Sequence, residues 1–237
     1  MAIDQALLGR AGRGERWLRL YRWLPHCLSF GRHEPATRRY DRARIAALGL
    51  DVVRRPTGGR AVWHAEELTY AIAVPADTMG GLQDAYREIH RMLQAGLRRL
   101  GIEAEMAPPR KTAGVGAGAC FAAPAGGEIV IGDRKAVGSA QLREGAGLLQ
   151  HGSILLEGRQ ALVGELTLGN APPDLAGPLA EAAGAGLDLT RAAEAIAAAA
   201  AERWRGAWRP AADAGALMTE ATAHEHRFRS REWTWRA

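Results

Sequence analysis

The sequence predicts an α+β fold, and three features carry that prediction. Short strand-like runs recur through residues 17–74 and again from Glu128 to Leu156. Between them, Leu82, Ala85, Ile89, Leu93, Leu97 and Leu100 fall near one helical stripe over residues 80–100, closed by Gly101. Beyond Glu157 the composition shifts, and Pro172-Pro173 opens an alanine-dominated stretch that reads as helical.

Taken in order, residues 2–8 space Ile3, Ala6 and Leu7 as a short amphipathic helix. Gly9–Glu15, rich in Gly and Arg, reads as a loop. Trp17–Trp23 alternates as a strand, with Leu18, Leu20 and Arg22 on one face and Trp17, Arg19, Tyr21 and Trp23 on the other. Pro25 interrupts it, and His26–Gly31 resumes an extended course. Asp41–Leu48 suits a short helix stopped by Gly49, and Asp51–Arg55 starts another strand. Pro56 lacks an amide hydrogen and Gly58-Gly59 frees the backbone to bend, so Ala61–Trp63 and Leu68–Val74 follow as separate strands. Pro108–Gly118 is a cationic, Gly-rich segment, expected to be mobile, that leads to Cys120.

Glu128–Ile131 and Lys135–Ala140 then form a hairpin around Gly132-Asp133-Arg134, where Gly supplies a positive φ. Gly138-Ser139-Ala140 keeps the second strand thin, so that backbone or ligand approaches closely. His151-Gly152-Ser153 opens a third strand, Ile154-Leu155-Leu156. Helices are expected near Leu175–Ala183, over Thr190–Trp208 with Thr190 as N-cap, and over 215–228. Trp233-Thr234-Trp235 reads as a last edge strand. With no internal repeat and no long linker, residues 1–237 are expected to form a single domain.

Composition narrows the function classes. Hydrophobic residues make up 47% and charged residues 24%, as in ordinary soluble proteins, and no apolar run suits a bilayer. The residues MAIDQALLGR do not read as a signal peptide. Cys27 and Cys120 are the only cysteines, which suits a reducing cytoplasm better than a disulfide scaffold. The 7 histidines are scattered and no CxxC occurs, so no metal centre and no cofactor are expected. The net charge is +5 and the pI about 9.7. That excess fits either an Arg-rich codon bias or an acidic protein partner steered to a basic face. No aromatic pattern of an RNA-binding strand interleaves the arginines, so neither nucleic acid nor membrane is an expected partner.

The segment from Cys120 to Glu157 brings a thiol, an amine (Lys135) and an imidazole (His151) to a small-residue surface, which reads as an active site. Backbone amides around Gly58 and Gly59, with Arg55 or Arg60 nearby, suit a phosphate or a pantetheine carbonyl, although the glycine pair taken alone fits a plain turn.

The order RRPTGGRAVWH, CF-x-x-P, GDRKAVGSAQ and LQHGSILLE resembles the lipoate/octanoate protein ligase and transferase family, whose fold is biotin/lipoate protein ligase-like. AIDQALL, RLYRW and REWTW are similar to that family as well. The resemblance implies a mixed, largely antiparallel sheet with flanking helices and an acyl site on one face. It also implies a division by chemistry. Ligases activate a free acid with ATP, whereas octanoyltransferases pass the acyl group through a cysteine thioester. Cys120, in Ala119-Cys120-Phe121, matches the cysteine of the transferase branch. Two places depart from the family pattern: Asp133 separates Gly132 from Arg134, and Ala125-Gly126 follows Pro124 where a hydroxyl residue and an aromatic are usual.

The implied reaction moves octanoate from octanoyl-acyl carrier protein to a lysine of a lipoyl-accepting protein. Such acceptors include the glycine-cleavage H protein and 2-oxoacid dehydrogenase subunits. Cys120 is the expected nucleophile and Lys135 the expected proton carrier. Arg55, Gly58, Gly59, His64, Gly138, Ser139, Ala140, His151 and Gly152 are the expected substrate-binding residues, the small ones leaving room for the acyl chain. An ATP-dependent lipoate–protein ligase, or an octanoyl amidotransferase between lipoyl-accepting proteins, stands as the alternative. Cys27 reads as core.

Overall fold

The computed structural model describes residues 1–108, 127–158, 160–170, 174–183, 187–211 and 214–236. Its first elements are α1 (Ala2–Gly12), β1 (Trp17–Tyr21), β2 (Cys27–Phe30), α2 (Ala36–Arg39), α3 (Arg42–Ala47), β3 (Asp51–Arg54), β4 (Val62–His64) and β5 (Glu67–Pro75). The middle holds α4 (Leu82–Arg99), β6 (Glu105–Met106), β7 (Ile129–Ile131), β8 (Arg134–Lys135), β9 (Val137–Glu144) and β10 (Gly147–Leu155). Helices α5 (Ala161–Glu165), α6 (Ala180–Ala183), α7 (Leu189–Arg203), α8 (Ala214–Arg229) and α9 (Arg231–Thr234) follow.

The described strands form three sheets. An antiparallel sheet has the order β1-β5-β10-β9, a mixed one runs β3-β2-β4, and a small antiparallel one runs β6-β7-β8. Among the strands described, β2 pairs with β3 in parallel and the others are antiparallel, and an isolated parallel bridge joins Lys135 to Ala176. The expected α+β class, with a mixed and largely antiparallel strand arrangement and flanking helices, is therefore what the chain adopts.

β5 is one of the two inner strands of the large sheet and is buried on both faces, so apolar residues occupy odd and even positions alike. Leu68, Tyr70, Ile72 and Val74 meet Ile89, Leu93 and Leu97 of α4 and Ile196 of α7. Ala71 and Ala73 face the other way, where Leu7, Leu8 and Ala11 of α1 pack with Leu149. Each large side chain so buried contributes about 1.5–3 kcal/mol.

Several elements differ from expectation for identifiable reasons. α1 continues through Gly9 to Gly12, because Arg10 and Ala11 are buried and Arg10 bonds Glu220 of α8. The expected second hairpin strand is split. Lys135 pairs with Val130, whereas Val137 onward joins the large sheet beside β10, so Lys135 lies at the seam of two sheets. β10 starts at Gly147 rather than His151. Of Leu175–Ala183, only Ala180–Ala183 is helical; Lys135 N donates to Leu175 O at 2.9 Å, which draws that segment alongside β8. Asp188, not Thr190, caps α7, its carboxylate accepting from Arg191 N at 2.8 Å. Trp233–Trp235 is no edge strand. Ser230 caps α9 there, and Arg54 satisfies the carbonyls of Thr234 and Arg236 that a neighbouring strand would otherwise take.

Candidate active site

β9 and β10 run side by side with Gly138 opposite Ser153, Ser139 opposite Gly152, and Ala140 opposite His151. Close approach there requires glycine at 152. A Cβ would stand 2.3 Å from Gly138 O and 2.7 Å from Tyr70 Cε1. A cleft with about 350 Å³ of empty space, part of it open to solvent, lies against this wall. Of the expected substrate-binding residues it touches Arg55, His64, Gly138, Ser139, Ala140, His151 and Gly152. Gly58 and Gly59 do not line it, and neither does Lys135.

Arg55 and the glycine pair are engaged within their own loop. The Arg55 guanidinium donates to Ser29 Oγ at 2.6 Å, Gly58 O at 3.2 Å and Arg60 O at 2.7 Å, so it holds the loop's own carbonyls. Gly59 has φ +89°, and a Cβ on Gly31 would lie 1.8 Å from Gly59 O. Two glycines thus let backbone pack on backbone, and the pair acts as a turn.

Both cleft histidines are buried and bonded at each nitrogen. His64 Nδ1 is 2.6 Å from Glu67 Oε1, and its Nε2 is 2.6 Å from Ser29 Oγ. Glu67 also accepts from Thr69 at 2.6 Å and from the Ser153 hydroxyl. His151 Nδ1 is 2.9 Å from Asp4 Oδ2, and its Nε2 is 2.6 Å from Thr57 Oγ1. Burial pushes the Asp4 carboxyl up, but the bond to His151 and the charge of Arg19, 2.7 Å away, outweigh it and hold it below the carboxylate range. Burial depresses His151 and outweighs Asp4, so the imidazole is neutral, donating from Nδ1 and accepting at Nε2.

Lys135 is 1% exposed, which excludes a solvated hairpin lysine. Its Nζ stands 2.5 Å from Glu128 Oε1. On the other edge of its backbone, Gly177 N donates to Lys135 O at 2.9 Å. Glu128 was missed from sequence although the signal existed: with Lys135 opposite Val130, period-two alternation puts Glu128 on the same face as its diagonal neighbour. Asp4, Glu67 and Ser29, which lie far apart along the chain, carried no such signal. Cys120 lies outside the described residues. Cys27 is the core residue expected, its thiol pushed up to about 12 by burial, and so is no nucleophile. Among the described residues no three His, Cys, Asp or Glu side chains converge as metal ligands, and no helix is long and apolar enough to cross a membrane.

Residues 1–197 match the family model of the lipoyl protein ligase A/B catalytic domain. The chain is 45% identical over 171 residues to octanoyltransferase LipM of Exiguobacterium sibiricum, covering 66% of this chain and 60% of that protein. With octanoyltransferase LipM of Carboxydothermus hydrogenoformans it shares 44% over 162 residues, with the same 66% and 60% coverage. The chain thus spans about 60% of the length of these curated relatives. In structure it is similar to a lipoate-protein ligase A crystallised with ATP, at 18% identity and a TM-score of 0.82, covering 99% of this chain and 92% of that one. Protein Ta0514 of T. acidophilum, with bound lipoic acid, gives 18% identity and a TM-score of 0.81 over 99% of this chain and 91% of that one. At such identity the likeness is one of fold.

Proposed function

The chain belongs to the lipoyl protein ligase A/B catalytic family, and on that premise we propose that it moves an octanoyl group from a carrier-protein thioester to a lysine of a lipoyl-accepting domain. The observation that supports this most is the 45% identity with an octanoyltransferase. Buried Lys135 and the small-residue cleft wall are consistent with it.

In the first step the Cys120 thiolate attacks the donor thioester. A new C–S bond forms, the donor C–S bond breaks, and the carrier thiolate leaves and takes up a proton. In the second, the acceptor lysine amine attacks the acyl-enzyme carbonyl. The C–N bond forms, the enzyme C–S bond breaks, and one amine proton ends on the Cys120 sulfur. Lys135 is assigned the carrying of those protons, acting as base toward the thiol or amine and as acid toward the leaving sulfur. Glu128 holds the Lys135 side chain in place.

The test is transfer to an apo lipoyl domain from octanoyl-acyl carrier protein, or from octanoate with ATP and Mg²⁺, by wild type and Cys120→Ala. Transfer from the carrier without ATP, lost in the variant, supports the reading. Activity that needs ATP and survives the substitution makes the chain a ligase instead. Competition between octanoyl carrier protein and an octanoylated H protein separates the amidotransferase variant.

A further inference from the structure

A fully buried histidine interrupts the apolar stripe of α4. His90 is 0% exposed among Ile89, Met92 and Leu93, and the ring of Tyr86 lies 4.0 Å from its own. An imidazole in that setting loses hydration, and hydrogen bonds at both nitrogens must compensate. They do: Nδ1 is 2.6 Å from Gly127 O and Nε2 is 2.8 Å from Ser139 Oγ.

The directions of these bonds are determined. Burial lowers the His90 pKa to about 4, with the charge of Lys135 acting in the same sense, so the ring is neutral and carries one proton. A carbonyl only accepts, so that proton sits on Nδ1 and Nε2 takes the Ser139 hydroxyl proton. Ser139 Oγ then accepts from Tyr70 OH at 2.6 Å, and Tyr70 accepts from Gln150 Nε2 at 2.9 Å. Gln141 Nε2 donates to Gln150 Oε1 at 2.9 Å. Every donor in this row points one way, from Gln141 to Gly127.

The two ends that His90 grips flank Lys135 in the chain. Gly127 precedes Glu128, whose carboxylate lies 2.5 Å from Lys135 Nζ, and Gly127 N is itself tied to Ala107 O at 2.7 Å. Ser139 follows on β9, just past the seam between the two sheets. From this geometry we infer that His90 is a positioning residue for Lys135, fixing to one helix the strand that brings Glu128 in and the strand that leads away. The inference rests on the reading of Lys135 as the proton carrier. His90, being buried, does not touch substrate; it acts through Gly127–Glu128 and Ser139.

The experiment is steady-state octanoyl transfer from octanoyl-acyl carrier protein to an apo lipoyl domain, with circular dichroism to count folded protein. His90→Phe is expected to lower kcat about a hundredfold with KM for the donor unchanged, as a misplaced catalytic group does. His90→Gln keeps one donor and one acceptor and is expected to recover most of that loss. Wild-type kcat in His90→Phe, or a loss matched by lost folded protein or left unrelieved by His90→Gln, overturns the inference. If His90→Phe does not fold, Ser139→Ala deletes one arm, and a wild-type kcat there overturns it equally. Lys135→Met is run alongside. Full activity in that variant overturns the role of Lys135 itself, a result distinct from an inactive Lys135→Met beside a fully active His90→Phe.

Discussion

Lys135 and Glu128 form a buried ion pair 2.5 Å apart. Taking away one member of such a pair leaves a charge in a poor dielectric and typically costs about 3–5 kcal/mol. Glu128→Gln is therefore expected to lower the unfolding free energy by roughly that amount in a urea titration, and to slow transfer as well; an unchanged midpoint would show that the pair does not stabilise the fold. His90 gives a second expectation. Its folded pKa is about 4, below the ordinary 6.5, so between those values the unfolded chain binds the extra proton. Its contribution, about 3 kcal/mol, is present above pH 6.5 and disappears as pH falls toward 4. His151 is shifted down from 6.5 as well and acts in the same direction there, whereas Asp4, lowered from 3.8, adds its loss only at still lower pH. Urea midpoints measured across that window should fall steeply in the wild type and less steeply in His90→Phe; parallel slopes would contradict the assignment.

Among the elements, the β9–β10 pair sets the cleft wall, and Gly152 is its pinch point. Gly152→Ala places a methyl 2.3 Å from Gly138 O, a backbone atom that cannot swing aside. It is expected to destabilise the protein by about 1–3 kcal/mol and to reduce transfer, whereas Gly58→Ala, with nothing within 4 Å, should leave both close to wild type. Equal effects of the two substitutions would contradict the packing described. The elements also show where the sequence was readable. α4 was legible because its stripe keeps one period for five turns, and β5 because a run of apolar residues has few other uses. The split after Lys135, the extended Leu175–Gly177 and the helical end of the chain were not legible. Each depends on a partner far away in sequence: β10 for Val137–Glu144, the backbone of Lys135 for Leu175–Gly177, and the guanidinium of Arg54 for the carbonyls of Thr234 and Arg236.

At the scale of the whole molecule, the candidate site was half legible. Seven of the expected substrate-binding residues line one cleft because motif residues on adjacent strands are brought into register by the sheet. The bonds of Arg55 to Gly58 O and Arg60 O were not legible, since only the folded backbone sets the direction of those loop carbonyls. Net charge adds a separate expectation. With +5 overall, encounter with an acidic octanoyl-carrier protein should weaken with ionic strength. Raising salt from about 0.05 to about 0.5 M should increase KM for the carrier donor several-fold and leave that for octanoyl-pantetheine unchanged; identical salt responses would remove charge steering from the picture. The central claim, covalent acyl transfer through a cysteine, is reached most directly by mass spectrometry of the intact protein after incubation with octanoyl-acyl carrier protein alone. The expected result is one hydroxylamine-sensitive octanoyl adduct on the peptide bearing Cys120, absent in Cys120→Ala. Wild-type transfer by Cys120→Ala, with no adduct on either protein, would contradict it.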